Sequence, residues 1–210
     1  MITLESAREW YPAFDAVHGF DHIERVYHLC EKIGPPEGAD MEILLTAALL
    51  HDVTDSHPDG VGRKNHHLRS AEFAEAVLSK EKWKPERIKS VLHCIRAHRF
   101  RKGEAPVTIE AKVLFDADKL DVLGAIGVSR ALAFAFQSKK PAFSEPSKKF
   151  MTSGMKERGE LHSAYHEYIF KLKKISEILI TNTAKGIAHH RQAFLNDFFD
   201  VLADEMRNIK

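Results

Sequence analysis

The stretch that decides the fold is Met41-Glu42-Ile43-Leu44-Leu45-Thr46-Ala47-Ala48-Leu49-Leu50-His51-Asp52-Val53-Thr54-Asp55. Its first ten residues are apolar nearly all round, and a helix of that composition belongs at the centre of others. A His-Asp pair then emerges from its end. Burying an ionised carboxylate is costly unless a cation pairs with it, and a divalent metal is the strongest such partner. The plain alternative is a helix that surfaces at Leu50 and leaves His51 and Asp52 in water. The dyad alone does not separate the two.

Helical periodicity continues on both sides. Upstream, Ile23, Val26, Tyr27, Cys30 and Ile33 recur at three- and four-residue steps and predict a helix over Phe20 to Ile33, stopped by Pro35-Pro36 and Gly38. His22 lies on this helix ahead of Val26, Leu29 and Ile33, so its imidazole is expected to face neighbouring helices. A lone histidine there is more often a satisfied core residue. Downstream, a polar loop from Ser56 to Lys64 contains the turn His57-Pro58-Asp59-Gly60. Helices are expected over Leu68 to Leu78, Pro85 to His98, Thr108 to Asp121 and the Ala- and Gly-rich Val122 to Phe136. Ser138 to Gly154 reads as a mobile loop. Two long amphipathic helices follow, Lys156 to Ile180 and Asn182 to Met206, with Thr181-Asn182-Thr183 as the stop and next N-cap. No alternating strand pattern, internal repeat or low-complexity tract is present. The expected fold is all-α, a single domain with a core over about 18–136, the loop over about 138–154 and a helical extension over about 156–206.

Composition narrows the function. The chain has 210 residues, 44% hydrophobic and 29% charged, in the ordinary range of globular proteins with a substantial core. Thirty-one Lys and Arg against 30 Asp and Glu give a net charge of +1. That balance offers no electrostatic reason for polymeric nucleic acid or an anionic membrane as partner. Two cysteines, Cys30 and Cys94, are too few for a disulfide framework or a thiolate zinc site and read as small buried hydrophobes. The N-terminus lacks the basic and apolar regions of a secretory signal, and no run approaches the ~20 apolar residues of a membrane span. The expected location is the cytoplasm.

A second carboxylate-bearing stretch is Phe115-Asp116-Ala117-Asp118-Lys119-Leu120-Asp121, which again follows apolar residues. Asp118 and Asp121 share a helical face; the plain reading is a solvated face balanced by Lys112 and Lys119. Two imidazoles and two carboxylates would make a mixed N/O donor set suited to Mn²⁺ or Mg²⁺, with Fe²⁺, Co²⁺, Ni²⁺ and Zn²⁺ also compatible.

The order H…HD…D, with the dyad after an apolar helix and the last Asp in an Ala-Asp step, resembles the HD-domain metal-dependent phosphohydrolase superfamily. The blocks Ala47-Ala48-Leu49-Leu50-His51-Asp52, Asp116 to Asp121 running into Leu123-Gly124-Ala125-Ile126-Gly127, and Thr181-Asn182-Thr183-Ala184-Lys185 with Ala188-X-X-Arg191 look like a subfamily of small nucleotide hydrolases. The resemblance runs from His22 to about Met206 and implies a compact multi-helix HD-domain bundle. It implies His22, His51, Asp52 and Asp118 as metal ligands, and hydrolysis of a nucleoside triphosphate to monophosphate and pyrophosphate. Asp52 has two oxygens, one to ligate and one to orient water or to bridge a second metal. Asp55, three residues on, is the candidate for proton transfer. Substrate contacts are expected from Lys64, His67, His98, Lys119, Asp121 and His166, with Arg69 and Arg191 as further cations for phosphate. The pairs His66-His67 and His189-His190 read as solvated or packing residues. Arg99 stands where similar proteins commonly have Ser. The competing readings are a nucleoside monophosphatase or phosphodiesterase of the same superfamily, a catalytically silent nucleotide-binding module, and a purely structural bundle. The partner is expected to be a small phosphorylated molecule, and the C-terminal helices offer a homodimer surface or pack back on the core.

Overall fold

Apolar stripes at helical spacing become ten α-helices and one 3₁₀ helix in the computed structural model, which describes residues 2–11, 19–54, 65–99 and 104–208. They are α1 (Leu4–Arg8), α2 (Phe20–Glu37), α3 (Met41–Leu50), α4 (His66–Lys80), α5 (Pro85–Ala97), α6 (Ile109–Leu120), α7 (Gly124–Gln137), α8 (Lys148–Ser153), α9 (Ala164–Phe170), the 3₁₀ helix Leu172–Ile178, and α10 (Asn182–Met206). No strand occurs among the described residues, and no single helix there is long and apolar enough to cross a membrane. The chain divides into two units, Met1–Asp118 with Ile180–Ala184, and Lys119–Leu179 with Lys185–Lys210.

In the first unit α3 is central, packed against α1, α2, α4 and α5. Leu44, Ala47, Ala48 and Leu50 are fully buried, as the all-round apolar sequence requires. Asp40 caps the helix, accepting hydrogen bonds from the backbone N–H groups of Glu42 and Ile43. Helix α2 comes close to α3 at Gly34, where a Cβ would lie 2.5 Å from Met41 Sδ and 2.7 Å from Leu44 Cδ2. The expected stop at Pro35-Pro36 does not occur: both prolines lie within α2, which ends at Gly38 with φ 76°. A proline near the C-terminal end forfeits one hydrogen bond of the last turn, whereas the left-handed residue is what turns the chain out.

Asp116 is fully buried rather than solvated. Its carboxylate accepts from Ile180 N at 2.9 Å, Thr181 N at 2.6 Å and Thr181 Oγ1 at 2.6 Å. This fastens the start of α10 within the unit, and Thr183 N adds a bond to Glu37 Oε1. The bonds of Asp116 generate a prediction. Asp116→Ala leaves two backbone N–H groups without acceptors and should lower stability by about 3 kcal/mol, read from the chemical denaturation midpoint.

The second unit departs more from expectation. Lys156 to Ile180 is not one long helix. It runs through an irregular stretch to Ser163, which caps α9 by accepting from His166 N, and then breaks at Lys171 into the 3₁₀ helix. Ser163 and the left-handed Gly159 (φ 85°) interrupt the backbone where apolar spacing alone carried on. The loop over Ser138 to Gly154 contains α8, capped by Ser147. Tyr168 stacks on Phe199 with ring centroids 4.6 Å apart, and Leu195 is buried on the same helix as Phe199.

Glu160 ties these short pieces together. It accepts from Ser147 N (2.8 Å), Ser147 Oγ (2.7 Å), Glu157 N (2.6 Å) and His166 Nε2 (3.0 Å). Burial pushes its carboxyl pKa up, but the backbone and side-chain donors outweigh it and hold the group at about 2. A carboxylate depressed in the folded state stabilises above its ordinary value near 4.5, and that contribution fades as pH falls through about 2. Glu160→Gln should therefore flatten the stability–pH curve between pH 4.5 and 2, measured by denaturation across that range.

Candidate metal centre

Each donor of the centre is delivered by a helix terminus or a helix face. His22 is the third residue of α2, 2% exposed, with its backbone N–H bonded to Gly19 O at 2.9 Å. His51 follows the last residue of α3 and is fully buried. Its Nδ1 lies 2.8 Å from Ala48 O. A carbonyl only accepts, so Nδ1 carries the proton and Nε2 keeps its lone pair. His98 repeats the device at the end of α5, with Nδ1 2.6 Å from Ile95 O. In both cases an otherwise unpaired helix-terminal carbonyl orients an imidazole.

Asp52 lies between these rings, 9% exposed. Its Oδ2 is 3.8 Å from His51 Nε2 and 3.9 Å from His22 Nε2, and Asp118 Oδ1 is 3.5 Å from His22 Nε2. Its Oδ1 faces the other way, 3.3 Å from Nε2 of both His66 and His98, which are themselves 3.3 Å apart. Two groups of donors thus exist, His22–His51–Asp118 and Asp52–His66–His98, each with ligand atoms within 4.8 Å of one another. Burial, the largest influence, depresses the His51 pKa to about 4, so its ring is neutral near pH 7. Burial pushes Asp52 up, but His51 and the contacts from His66 and His98 prevail and hold its carboxyl well below the usual range.

The residues fit a cation. His51 Nε2 and Asp52 Oδ1 are buried with no hydrogen-bond partner among the described residues, a costly state that a metal relieves. The second group forms a triangle with 3.3 Å edges, and the point equidistant from its corners is about 1.9 Å away, close to the ~2.0–2.2 Å bonds of N/O-ligated divalent ions.

Support comes from beneath and beside the dyad. Tyr11 packs with Ala7, Phe20, Ile23, Leu49 and Val53, and donates its hydroxyl to Leu49 O at 2.8 Å. Thr54 bonds to His66 O through Oγ1 (3.0 Å) and to Ser70 Oγ through its N–H (3.3 Å), fixing the start of α4 beside the dyad. Arg69, a cation expected for phosphate, donates to Thr54 O at 3.3 Å.

The structure brings together His22, His51, Asp52 and Asp118, the expected ligands, and places His98, expected to contact substrate, beside Asp52. It adds His66, which the sequence reading placed among solvated or packing residues. Helices α4 and α5 are joined by a short turn and pack together, so the first residue of one lies beside the residue closing the other. That antiparallel pairing was the available signal. His67 is half-buried, its ring 5.6 Å from that of His66, and Lys119 is half-buried next to Asp118 on α6. Two expected substrate residues are committed elsewhere. Asp121, 1% exposed, accepts from Arg130 Nη1 at 2.5 Å. His166 is fully buried between Ser163 Oγ (2.8 Å) and Glu160. Arg191 donates to Leu120 O at 2.9 Å, closing the end of α6. Asp55 and Lys64 lie outside the described residues.

Residues 19–123 match the HD domain family. The chain belongs to that family. It is 30% identical to the uncharacterized protein YpgQ of Bacillus subtilis over 98% of this chain and 94% of that one. The crystal structure of YpgQ in complex with ADP superposes with a TM-score of 0.74 at 28% identity, covering 99% of this chain and 100% of that one. An HD-superfamily hydrolase from Bacillus thuringiensis gives a TM-score of 0.68 at 25% identity over 97% and 94% of the two chains. The fold is therefore that of the HD-superfamily hydrolases, and the clustered His and Asp side chains could hold a metal ion.

Proposed function

We propose that this protein is a divalent-metal-dependent phosphohydrolase of nucleotides, cleaving a nucleoside triphosphate to monophosphate and pyrophosphate. The observation that carries the reading is Asp52, a buried carboxylate with one oxygen toward His22 and His51 and the other toward His66 and His98. Hydrolytic chemistry is consistent with the family, and a nucleotide is consistent with the ADP bound by the B. subtilis relative.

His22, His51, Asp52 and Asp118 would hold one cation. Asp52 would bridge to a second, held by His66 and His98. The cation supplies Lewis acidity and positive charge beside the phosphoryl oxygens. The chain's own residues do the rest. His51 stays neutral and oriented by Ala48 O, so its lone pair remains directed at the centre. Asp52 stays ionised, so each of its oxygens keeps a lone pair for the donor group it faces. Asp55 is the candidate to take the proton as the water oxygen bonds to the α-phosphorus and the bond to the bridging oxygen breaks, releasing pyrophosphate. Lys119 and Lys64 are the candidates for neutralising substrate charge, and His67 for a hydrogen bond to it.

Metal analysis of the purified protein, with product release from a nucleotide panel, tests this. Asp52→Ala should abolish metal retention and lower hydrolysis more than the ~100-fold that marks the loss of an outer-sphere partner. His66→Ala should remove one of two equivalents and leave the other. Chelation should stop the reaction, with Mn²⁺ or Mg²⁺ restoring it. Full metal content and activity in Asp52→Ala would refute the centre. Orthophosphate released from monophosphates, with triphosphates untouched, would instead make the protein a nucleotidase.

A further inference from the structure

Thr54, two residues past Asp52, directs every polar group it has at α4. Its hydroxyl donates to His66 O at 3.0 Å, its backbone N–H donates to Ser70 Oγ at 3.3 Å, and its carbonyl accepts from Arg69 Nη2 at 3.3 Å. The Thr54 and Ser70 hydroxyls also lie 3.1 Å apart. The Thr54 proton is already given to the His66 carbonyl, so Ser70 is the donor in that contact. Ser70 is fully buried, which shields the link from water on the α4 side.

These bonds matter most for one ligand. His51 and His98 close α3 and α5, and each ring is oriented by a carbonyl of its own helix. His22 lies in the first turn of α2, with its backbone N–H on Gly19 O. His66 instead opens α4, whose N-cap residue Asn65 makes no side-chain bond to the helix end. Helix ends without a side-chain cap fray. The backbone of His66 is held from outside its own helix, by Thr54, and through Thr54 it is tied to the dyad.

The two groups of donors are also unequal. His22, His51 and Asp118 with one oxygen of Asp52 bring two carboxylates, whereas His66 and His98 have only the other oxygen of Asp52. Fewer donors and less negative charge hold a cation less tightly, and the rigidity of the site then decides the affinity. On the two-cation reading given above, we propose that the Asp52–His66–His98 position is the weaker, exchangeable one and that Thr54 is the positioning residue that sets its affinity. Thr54 acts on the cation only through His66. The occupancy of this position, and with it the state of the centre, would follow the supply of divalent cation.

Titration of the metal-free protein with Mn²⁺, followed by calorimetry, is the test. The parent should show two classes of site, and His66→Ala should abolish the weaker. Thr54→Val keeps the branched shape and removes the hydroxyl. It should weaken that same class about tenfold, the low end of what losing an outer-shell partner costs, and leave the tight class within about twofold. Thr54→Ser restores the hydroxyl and should bind as the parent does. Ser70→Ala cuts the link from the other side and should add little to the effect of Thr54→Val. If Thr54→Val fails to fold, Ser70→Ala alone takes its place. A general loosening of the fold would lower both classes together, so equal weakening of the two overturns the inference. So does a weak class that stays unchanged, or a Thr54→Ser protein as weak as Thr54→Val. A parent that takes up one Mn²⁺ or none refutes the two-cation reading and this inference with it. Two classes that are both indifferent to Thr54 sink the inference alone and leave that reading standing.

Discussion

Asp52 is the constraint on which the first unit depends. An ionised carboxylate at the end of an all-apolar helix is tolerated only where its surroundings are polar on every open side. Imidazoles provide this from four directions: His22 from α2, His51 from the end of α3, His66 from the start of α4 and His98 from the end of α5. His51 is neutral near pH 7, and a neutral imidazole does not compensate a buried negative charge. The donor set is therefore poised for a cation, which both the carboxylate and the rings satisfy at once. The packing of α3 against α1, α2, α4 and α5 follows the same logic, since each except α1 brings a donor to the end of α3.

Helix ends do the positioning. A helix leaves its last carbonyls unpaired, and His51 and His98 use one each to fix the ring plane and the tautomer. The same economy appears at α6, where Arg191 caps Leu120 O, and at the start of α10, where Asp116 collects the N–H groups of Ile180 and Thr181. These sites link residues far apart in sequence with short hydrogen bonds. They give the Asp116–Asp121 and Thr181–Arg191 blocks a structural role beside the candidate metal centre. A Cβ on Gly124 would come within 3.2 Å of Arg191 Cγ, so the glycine and the arginine are one packing unit. The marks that look functional in sequence are in part fasteners of the fold.

How much was legible follows from this division. His51 and Asp52 were readable locally, because a charged pair ending an apolar helix has few explanations. The all-α class was readable from periodicity. His22 and Asp118 needed the family pattern, since each sits on a helix face where a core histidine or a solvated aspartate is the commoner outcome. His66 was missed because it begins a helix directly after a loop, so no apolar stripe gave its phase. Asp116 and Asp121 were misjudged because their partners are remote or unpatterned: Ile180 is 64 residues away, and Arg130 lies in an otherwise apolar helix. The break between α9 and the 3₁₀ helix was invisible to spacing, because three-residue steps satisfy an apolar stripe in either helix type.

The location of the donors separates two questions that the sequence merges. His22, His51, Asp52, His66, His98 and Asp118 all lie in the unit Met1–Asp118 with Ile180–Ala184, and within the stretch that matches the HD domain. In the second unit Asp121, Glu160 and His166, all titratable, are absorbed in internal pairs. The candidate metal centre thus lies within the helices that match the HD domain, whereas a choice among substrates would have to come from groups other than the donors, because a fixed donor set recognises phosphate without distinguishing what is attached to it.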